Sequence, residues 1–359
     1  MILTLIDVDS RGGVVIAHDA LPSELPVPAS ALQQVARVAA MNITPVCWLG
    51  YLLLFDGLLT LLSRLKSNPA ISSVRARPWR FVIAWLTSIP VWCYFDWLNF
   101  YYLGAWHYHG LPPVFWQRLV GYFIAFAAIS PGMFMAAQFY QYLGVRRLVI
   151  NNDERARCVA WLLILVPAGV IVVWVFVLQL RDEDHLGDIR SLIGTPLLLI
   201  GPCAACLLRR QSRLATSFAI GAGMVIWTHL ARDPLGCLTL WVGLIFLLDP
   251  INAKLGMPSL LRDWEAGRYG RTLSLFAGGA TCGLLWELWN YWAIAKWTYD
   301  LPFLGSLEQY RYFEMPWLGF LGFLPFAAEC WVMLNTIVAV LKSYRLRMVE
   351  PLVDPDGVV

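Results

Sequence analysis

The chain has 359 residues, 59% of them hydrophobic and 14% charged, with a formal net charge of +3. Its mean hydropathy is +0.61. Soluble domains carry about 25% charged residues, so that class is excluded. A nucleic-acid binder is excluded too, because the basic clusters follow the apolar runs and read as topology signals.

Residues 1–40 carry Asp7, Asp9, Asp19 and Glu24 with three prolines, and they hold no apolar run suited to a signal peptide. Met41 stands immediately before the first apolar run, so residues 1–42 read as a tail whose first 40 positions are upstream translation, with Met41 as the start. Apolar runs then follow over 44–63, 81–102, 119–143, 158–180, 192–208, 214–230, 235–248, 272–294 and 315–341. Most reach the roughly 17–25 residues that a helix needs to cross a bilayer. The expected fold is an all-α polytopic membrane protein of about nine transmembrane helices. Basic residues collect after alternate runs, for example Arg64 and Lys66, Arg146 and Arg147, Arg209 and Arg210, Lys254 and Arg262, and Lys342 and Arg345. By the positive-inside rule the N-terminus is outside and the C-terminus cytoplasmic. An integral membrane location, in a bacterial inner membrane, is expected.

Part of the chain occurs twice. Trp48-x-Gly50 followed by Asp56 returns as Trp241-x-Gly243 followed by Asp249, an offset of 193. Arg80, Asp96, Asn99, Trp106 and Tyr108 return as Arg271, Glu287, Asn290, Trp297 and Tyr299, an offset of 191. Internal repetition of this kind sets the architecture. Residues 43–143 form a first three-span repeat, 144–234 three linking spans, 235–343 a second three-span repeat, and 344–359 a C-terminal tail. Three linking spans give both repeats the same direction across the membrane, so the repeats are parallel.

Intramembrane carboxylates are costly and functional by default. Asp96 lies 16 residues beyond Arg80, about 24 Å by helical rise, which places it and Glu287 in the outer half of the membrane. Glu329 falls near mid-membrane and Glu314 at the outer margin. The position matching Glu329 in the first repeat is Met135, and that broken symmetry favours a specialised role for Glu329. Asp56 and Asp249 lie toward the inner ends of their spans. They are expected to pair with inner-facing arginines as structural or secondary acids, and Asp249 is close enough to the surface to be solvated.

Aromatic residues surround the acids: Trp97, Trp106 and Tyr108 near Asp96, and Trp286, Trp289, Trp297 and Tyr299 near Glu287. A carboxyl walled by apolar groups keeps its proton, the state a general acid needs. Aromatic faces stabilise cations. The combination suits protonation of an alkene, with Asn99 and Asn290 as orienting groups. The plainer reading is a polar bolt between the repeats inside an aromatic belt. No metal and no cofactor is expected. His107-Tyr108-His109 supplies too few ligands, Cys203-x-x-Cys206 sits in an apolar run where small residues pack helices, and Arg181 to His185 reads as a solvated turn.

Asp56, Asp96, Trp106 and Tyr108, then Asp249, Glu287, Trp297, Tyr299 and Glu329, form a pattern that resembles the integral-membrane lycopene cyclase domain of the heterodimeric type and related membrane-embedded terpenoid cyclases. In that family two three-span units make one cyclase. The third span differs here, with Glu314 and Glu329 standing apart instead of as an adjacent acid pair. The resemblance implies a redox-neutral isoprenoid or carotenoid cyclase or isomerase, with catalytic carboxyls among Glu287, Glu329, Asp96 and Glu314 and a membrane-dissolved isoprenoid or lipid as partner. The rival readings are a proton-coupled transporter or lipid-handling protein, and a non-catalytic assembly protein.

Overall fold

Ten helices account for nearly all of the regular structure in the computed structural model, which describes residues 3, 6, 7, 9, 25–66, 74, 78–181 and 213–343. They are α1 (Ala31–Met41), α2 (Ile43–Leu65), α3 (Pro78–Leu98), α4 (Phe115–Leu143), α5 (Asp153–Arg181), α6 (Arg213–Ala231), α7 (Gly236–Lys254), α8 (Leu260–Glu265), α9 (Gly270–Trp292) and α10 (Phe320–Ser343). The fold is all-α. Among the described residues, five helices are long and apolar enough to cross a membrane: Ile43–Leu65, Pro78–Leu103, Phe115–Leu143, Gly236–Lys254 and Trp317–Ser343. The fifth apolar run, Cys203 and Cys206, the acidic turn 182–185 and the tail 344–359 lie outside the described residues.

Prolines stand inside α3, α4, α7 and α10, which a membrane helix tolerates where neighbours re-satisfy the freed backbone. Beside Pro131 this is done by Ser88 of α3. Its hydroxyl donates to the Phe126 carbonyl at 2.6 Å and accepts from the Ser130 N–H at 3.1 Å. Glycine allows the closest helix approach in the bundle. A Cβ on Gly279 of α9 would stand 2.1 Å from the Phe323 carbonyl oxygen of α10, so small residues set this interface.

Packing repeats along the chain. Helix α4 packs on α2 and α3, α10 packs on α7 and α9, and the two groups meet chiefly where α9 lies against α4. Helix α1 runs into α2 through Asn42 alone, and the Ala40 carbonyl accepts from the Ile294 N–H at 3.0 Å. The last turn of α1 is thus tied to the loop after α9.

The Trp-x-Tyr segments are short strands: β1 (Trp106–His109) and β2 (Lys296–Tyr299). They pair antiparallel, Trp106 opposite Tyr299 and Tyr108 opposite Trp297. Each strand's Trp faces the other's Tyr, the self-complementary register that a two-fold relation produces. Strands β3 (Arg311–Tyr312) and β4 (Met315–Pro316) form a second small pair in the connection to α10.

Asp249 is neither solvated nor paired with an arginine. It is wholly buried and accepts from the Ser259 hydroxyl at 2.7 Å and from the N–H groups of Leu260 and Leu261, each at 2.9 Å. It therefore caps the N-terminus of α8, where unpaired N–H groups favour a carboxylate. Asp56 plays a related part, accepting from the Val74 N–H at 2.7 Å. The nearby arginines use other acids: Arg268 and Arg271 pair with Asp263, and Arg213 and Arg262 with Glu265.

Candidate functional site

The site is built where α3 and α9 end. Helix α3 widens into a π turn, Asn99–Leu103, closed by Gly104 in the left-handed region at φ 60°. Its first residue, Asn99, grips the start of β1. The Asn99 amide donates to the Trp106 carbonyl at 2.7 Å, and its oxygen accepts from the Ala105 and Trp106 N–H groups at 2.8 and 3.0 Å. Asn290 does the same at the end of α9, donating to the Trp297 carbonyl at 2.8 Å and accepting from its N–H at 3.0 Å. Both asparagines are buried and spend their amides on backbone. They turn the chain back on itself, so each strand's tyrosine meets the acid three residues before the asparagine.

That return makes two carboxyl–phenol pairs. The Tyr108 hydroxyl donates to Asp96 Oδ1 at 2.8 Å, and the Trp106 indole donates to the same oxygen at 3.1 Å. The Tyr299 hydroxyl donates to Glu287 Oε1 at 2.7 Å and accepts from the Trp297 indole at 2.7 Å. The first pair is convergent and the second a chain. Asp96 is half-buried, whereas Glu287 has no exposed surface and its Oε2 has no partner. Burial, and after it the adjoining carboxyl, hold both phenols well above the ordinary tyrosine range. Both therefore stay protonated and able to donate.

Two cavities meet at these phenols. The larger, about 260 Å³, is walled by Trp92, Trp106, Trp241, Trp286, Trp297 and Phe326, with Tyr108 and Tyr299 at its surface. Among the described residues no charged side chain lines it. The smaller, about 80 Å³, shares Trp92, Tyr108, Trp286 and Trp297 with it, so these four rings form a partition one side chain thick. The rings are in contact: Trp92 and Trp286 stand 5.2 Å apart, and Trp286 meets Trp297 edge-on at 5.3 Å. Tyr108 faces both cavities and Tyr299 only the larger.

Several expected residues lie elsewhere. Trp97 is exposed and packs against Tyr94, Tyr101, Tyr102 and His229. As the neighbour of Asp96 on a helix it points about 100° away from it. Trp289, two positions beyond Glu287, turns to the opposite face and packs on Trp48 and Tyr51. Glu314 is engaged by Lys296 in a buried ion pair. Glu329 is wholly buried, with both oxygens lacking a hydrogen-bond partner, and it lines neither cavity. It lies one turn along α10 from Pro325 and Phe326, which do line the larger one. His109 bonds Thr298 Oγ1 at 2.8 Å, and among the described residues no His, Cys, Asp and Glu cluster could hold a metal.

Trp92, Phe323 and Phe326 line the cavity without having been singled out in the sequence, where they are three apolar residues inside apolar runs, and Trp241 is marked there only as the counterpart of Trp48. Only helical spacing from the acids would have marked any of them, with Trp92 four residues before Asp96 and Phe326 three before Glu329. No family model, no curated protein and no solved structure matches the chain.

Proposed function

We propose that the protein is a membrane-embedded cyclase or isomerase that protonates an alkene of a membrane-dissolved isoprenoid. The observation that carries this reading is a single one: an aromatic cavity without charged lining, at whose wall two phenols are each backed by an intramembrane carboxyl. About 260 Å³ is slightly below the roughly 300–1,000 Å³ of ordinary ligand pockets. That suits one end of a long isoprenoid, with the remainder in lipid.

In the proposed reaction Tyr299 gives its proton to a terminal alkene carbon while Glu287 gives its own to the phenol oxygen. The tertiary cation that results lies among Trp92, Trp286 and Trp297, where desolvated aromatic faces contribute up to about 2 kcal/mol each. Attack by a second alkene closes the ring, and loss of a neighbouring proton to the Tyr108–Asp96 pair restores neutrality. One C–H bond forms and one breaks, so no oxidant or reductant is consumed. Asn99 and Asn290 hold the strands, and Glu329 lies one turn beneath the cavity as a reserve acid.

The architecture proposed for this chemistry is about nine spans in a bacterial inner membrane, N-terminus outside, with two parallel three-span repeats. Its support is the matched Asn–strand–acid geometry and the self-complementary strand register.

The test is incubation of purified protein with lycopene, squalene, prenyl-quinone and prenyl-phosphate type substrates in deuterated water. Cyclised product carrying solvent deuterium is expected, and Glu287→Gln is expected to reduce it by about 10²–10⁴-fold. Substrates returned unchanged, or full activity in Glu287→Gln, would overturn the reading. A second reading, a proton-coupled transporter, draws support from the unpartnered carboxyl of Glu329; proton flux in liposomes abolished by Glu329→Gln would establish it.

A further inference from the structure

The smaller cavity is unlike the larger in one respect: it is lined by a cation. Arg118, in the first turn of α4, shares that lining with Asn42, Thr44, Gln117 and Tyr122. Arg118 forms no ion pair among the described residues, and its Nε is buried without a hydrogen-bond partner. The Thr44 hydroxyl on the facing helix α2 is also buried and unpartnered. A buried donor left unpaired costs about 1–3 kcal/mol, and a guanidinium presents its donors in a fork that matches an oxyanion. Two side chains that carry unpaired donors, one of them charged, thus line one recess together with the rings of Trp48, Trp286 and Trp297.

The recess also sits at the right depth. Helix α4 begins at Phe115, so Arg118 stands near the end of a helix long and apolar enough to cross a membrane, where a lipid headgroup would lie. The far wall is the aromatic partition, and Tyr108, bonded to Asp96, faces both sides of it.

We propose that this recess binds the oxyanion head of an isoprenoid amphiphile, whose first apolar carbons lie against Trp48, Trp286 and Trp297. The substrate is then an acidic prenyl lipid instead of a plain hydrocarbon. What the recess serves rests on the cyclisation proposed above. What it binds rests on Arg118 and Thr44.

The experiment is titration of the full-length, detergent-solubilised protein at low ionic strength with farnesyl phosphate, farnesol and inorganic phosphate, read by tryptophan emission. Farnesyl phosphate is expected to bind at least about tenfold more weakly to Arg118→Gln than to the natural chain, as loss of a charge-assisted hydrogen bond dictates. Arg118→Lys and Thr44→Val keep the fold in reserve and are each expected to lose a few-fold. Farnesol is expected to bind all four proteins alike. Unchanged farnesyl phosphate affinity in Arg118→Gln, or in Arg118→Lys and Thr44→Val should the first fail to fold, would overturn the proposal. So would equal affinity of the natural chain for farnesol and farnesyl phosphate. Displacement of farnesyl phosphate by an equal concentration of inorganic phosphate would also overturn it, marking a free-anion site. None of these readouts needs turnover. A chain that binds the phosphate through Arg118 yet converts nothing defeats the cyclase reading alone.

Discussion

Removing one hydroxyl from each carboxyl–phenol pair separates the two halves of the site by energy. Tyr299 holds two groups at once: its oxygen accepts from the Trp297 indole and its proton goes to Glu287 Oε1, both at 2.7 Å. Tyr299→Phe therefore strands an indole N–H and takes from Glu287 the hydroxyl bonded to Oε1, while Oε2 already lacks a partner. At about 1–3 kcal/mol for each stranded group, the expected loss is about 2–6 kcal/mol, the lower end applying if the indole turns onto the carboxyl. Tyr108 donates to Asp96 Oδ1, which keeps the Trp106 indole at 3.1 Å. Tyr108→Phe thus removes one bond of two and strands nothing, and about 0.5–1.5 kcal/mol is expected. Equilibrium unfolding of both variants in mixed micelles, followed by tryptophan emission, measures the difference. Equal losses, or a larger loss for Tyr108→Phe, would refute the hydrogen-bond topology from which the asymmetry follows.

Glu329→Met places at this position the residue found at the matching site of the first repeat, Met135. It is expected to stabilise the protein by about 1–3 kcal/mol, because a buried carboxyl without partners is removed; destabilisation beyond 1 kcal/mol in the same unfolding assay would contradict this. Asp249→Ala strands the Ser259 hydroxyl and two N–H groups of α8, so a loss of more than about 2 kcal/mol is expected, with product formed per folded molecule unchanged. The raised phenols give a pH signature. Tyr108 and Tyr299 keep their protons in the folded state while an unfolded tyrosine ionises near about pH 10. Above that pH the unfolded chain binds fewer protons, so stability falls as pH rises. Unfolding measured at pH 9 and 11 is expected to show this fall, and it is expected to shrink in Tyr299→Phe.

The membrane class and the acid-to-strand spacing were legible in the sequence because each rests on a local signal. A run of about 20 apolar residues has one reading, and acid, Asn three residues later and Trp-x-Tyr seven beyond that brings the tyrosine home through a single turn. The cavity was not legible. Trp92, Trp241 and Phe326 meet only because α3, α7 and α10 converge, and nothing in an apolar run distinguishes a residue facing a void from one facing lipid. Adjacency misled in two places. Trp97 and Trp289 are close to the acids in sequence, yet helical rotation carries them off the face the acids occupy. Asp249 misled for a different reason, since its partners come from Ser259 and the backbone beyond it, a helix start that Pro258-Ser259 does announce.

The matched positions and the unmatched one bear on the same question from opposite sides. Glu329 lacks an acidic counterpart, which in the sequence favours a special role for it, but it opens on neither cavity. Asp96 and Glu287 match each other in sequence and differ in surroundings. Asp96 is half-buried, and its phenol reaches both cavities, whereas Glu287 is sealed and its phenol reaches one. A proton leaving Glu287 for the larger cavity is relayed by Tyr299, the hydroxyl that bonds this carboxyl at 2.7 Å and lines that cavity. A proton arriving at Asp96 can be exchanged onward through a less buried path. In the proposed reaction this inequality assigns direction: the sealed pair delivers the proton and the open pair collects it. The broken symmetry that matters to the chemistry is then one of environment between two equivalent acids, not of residue identity at a third.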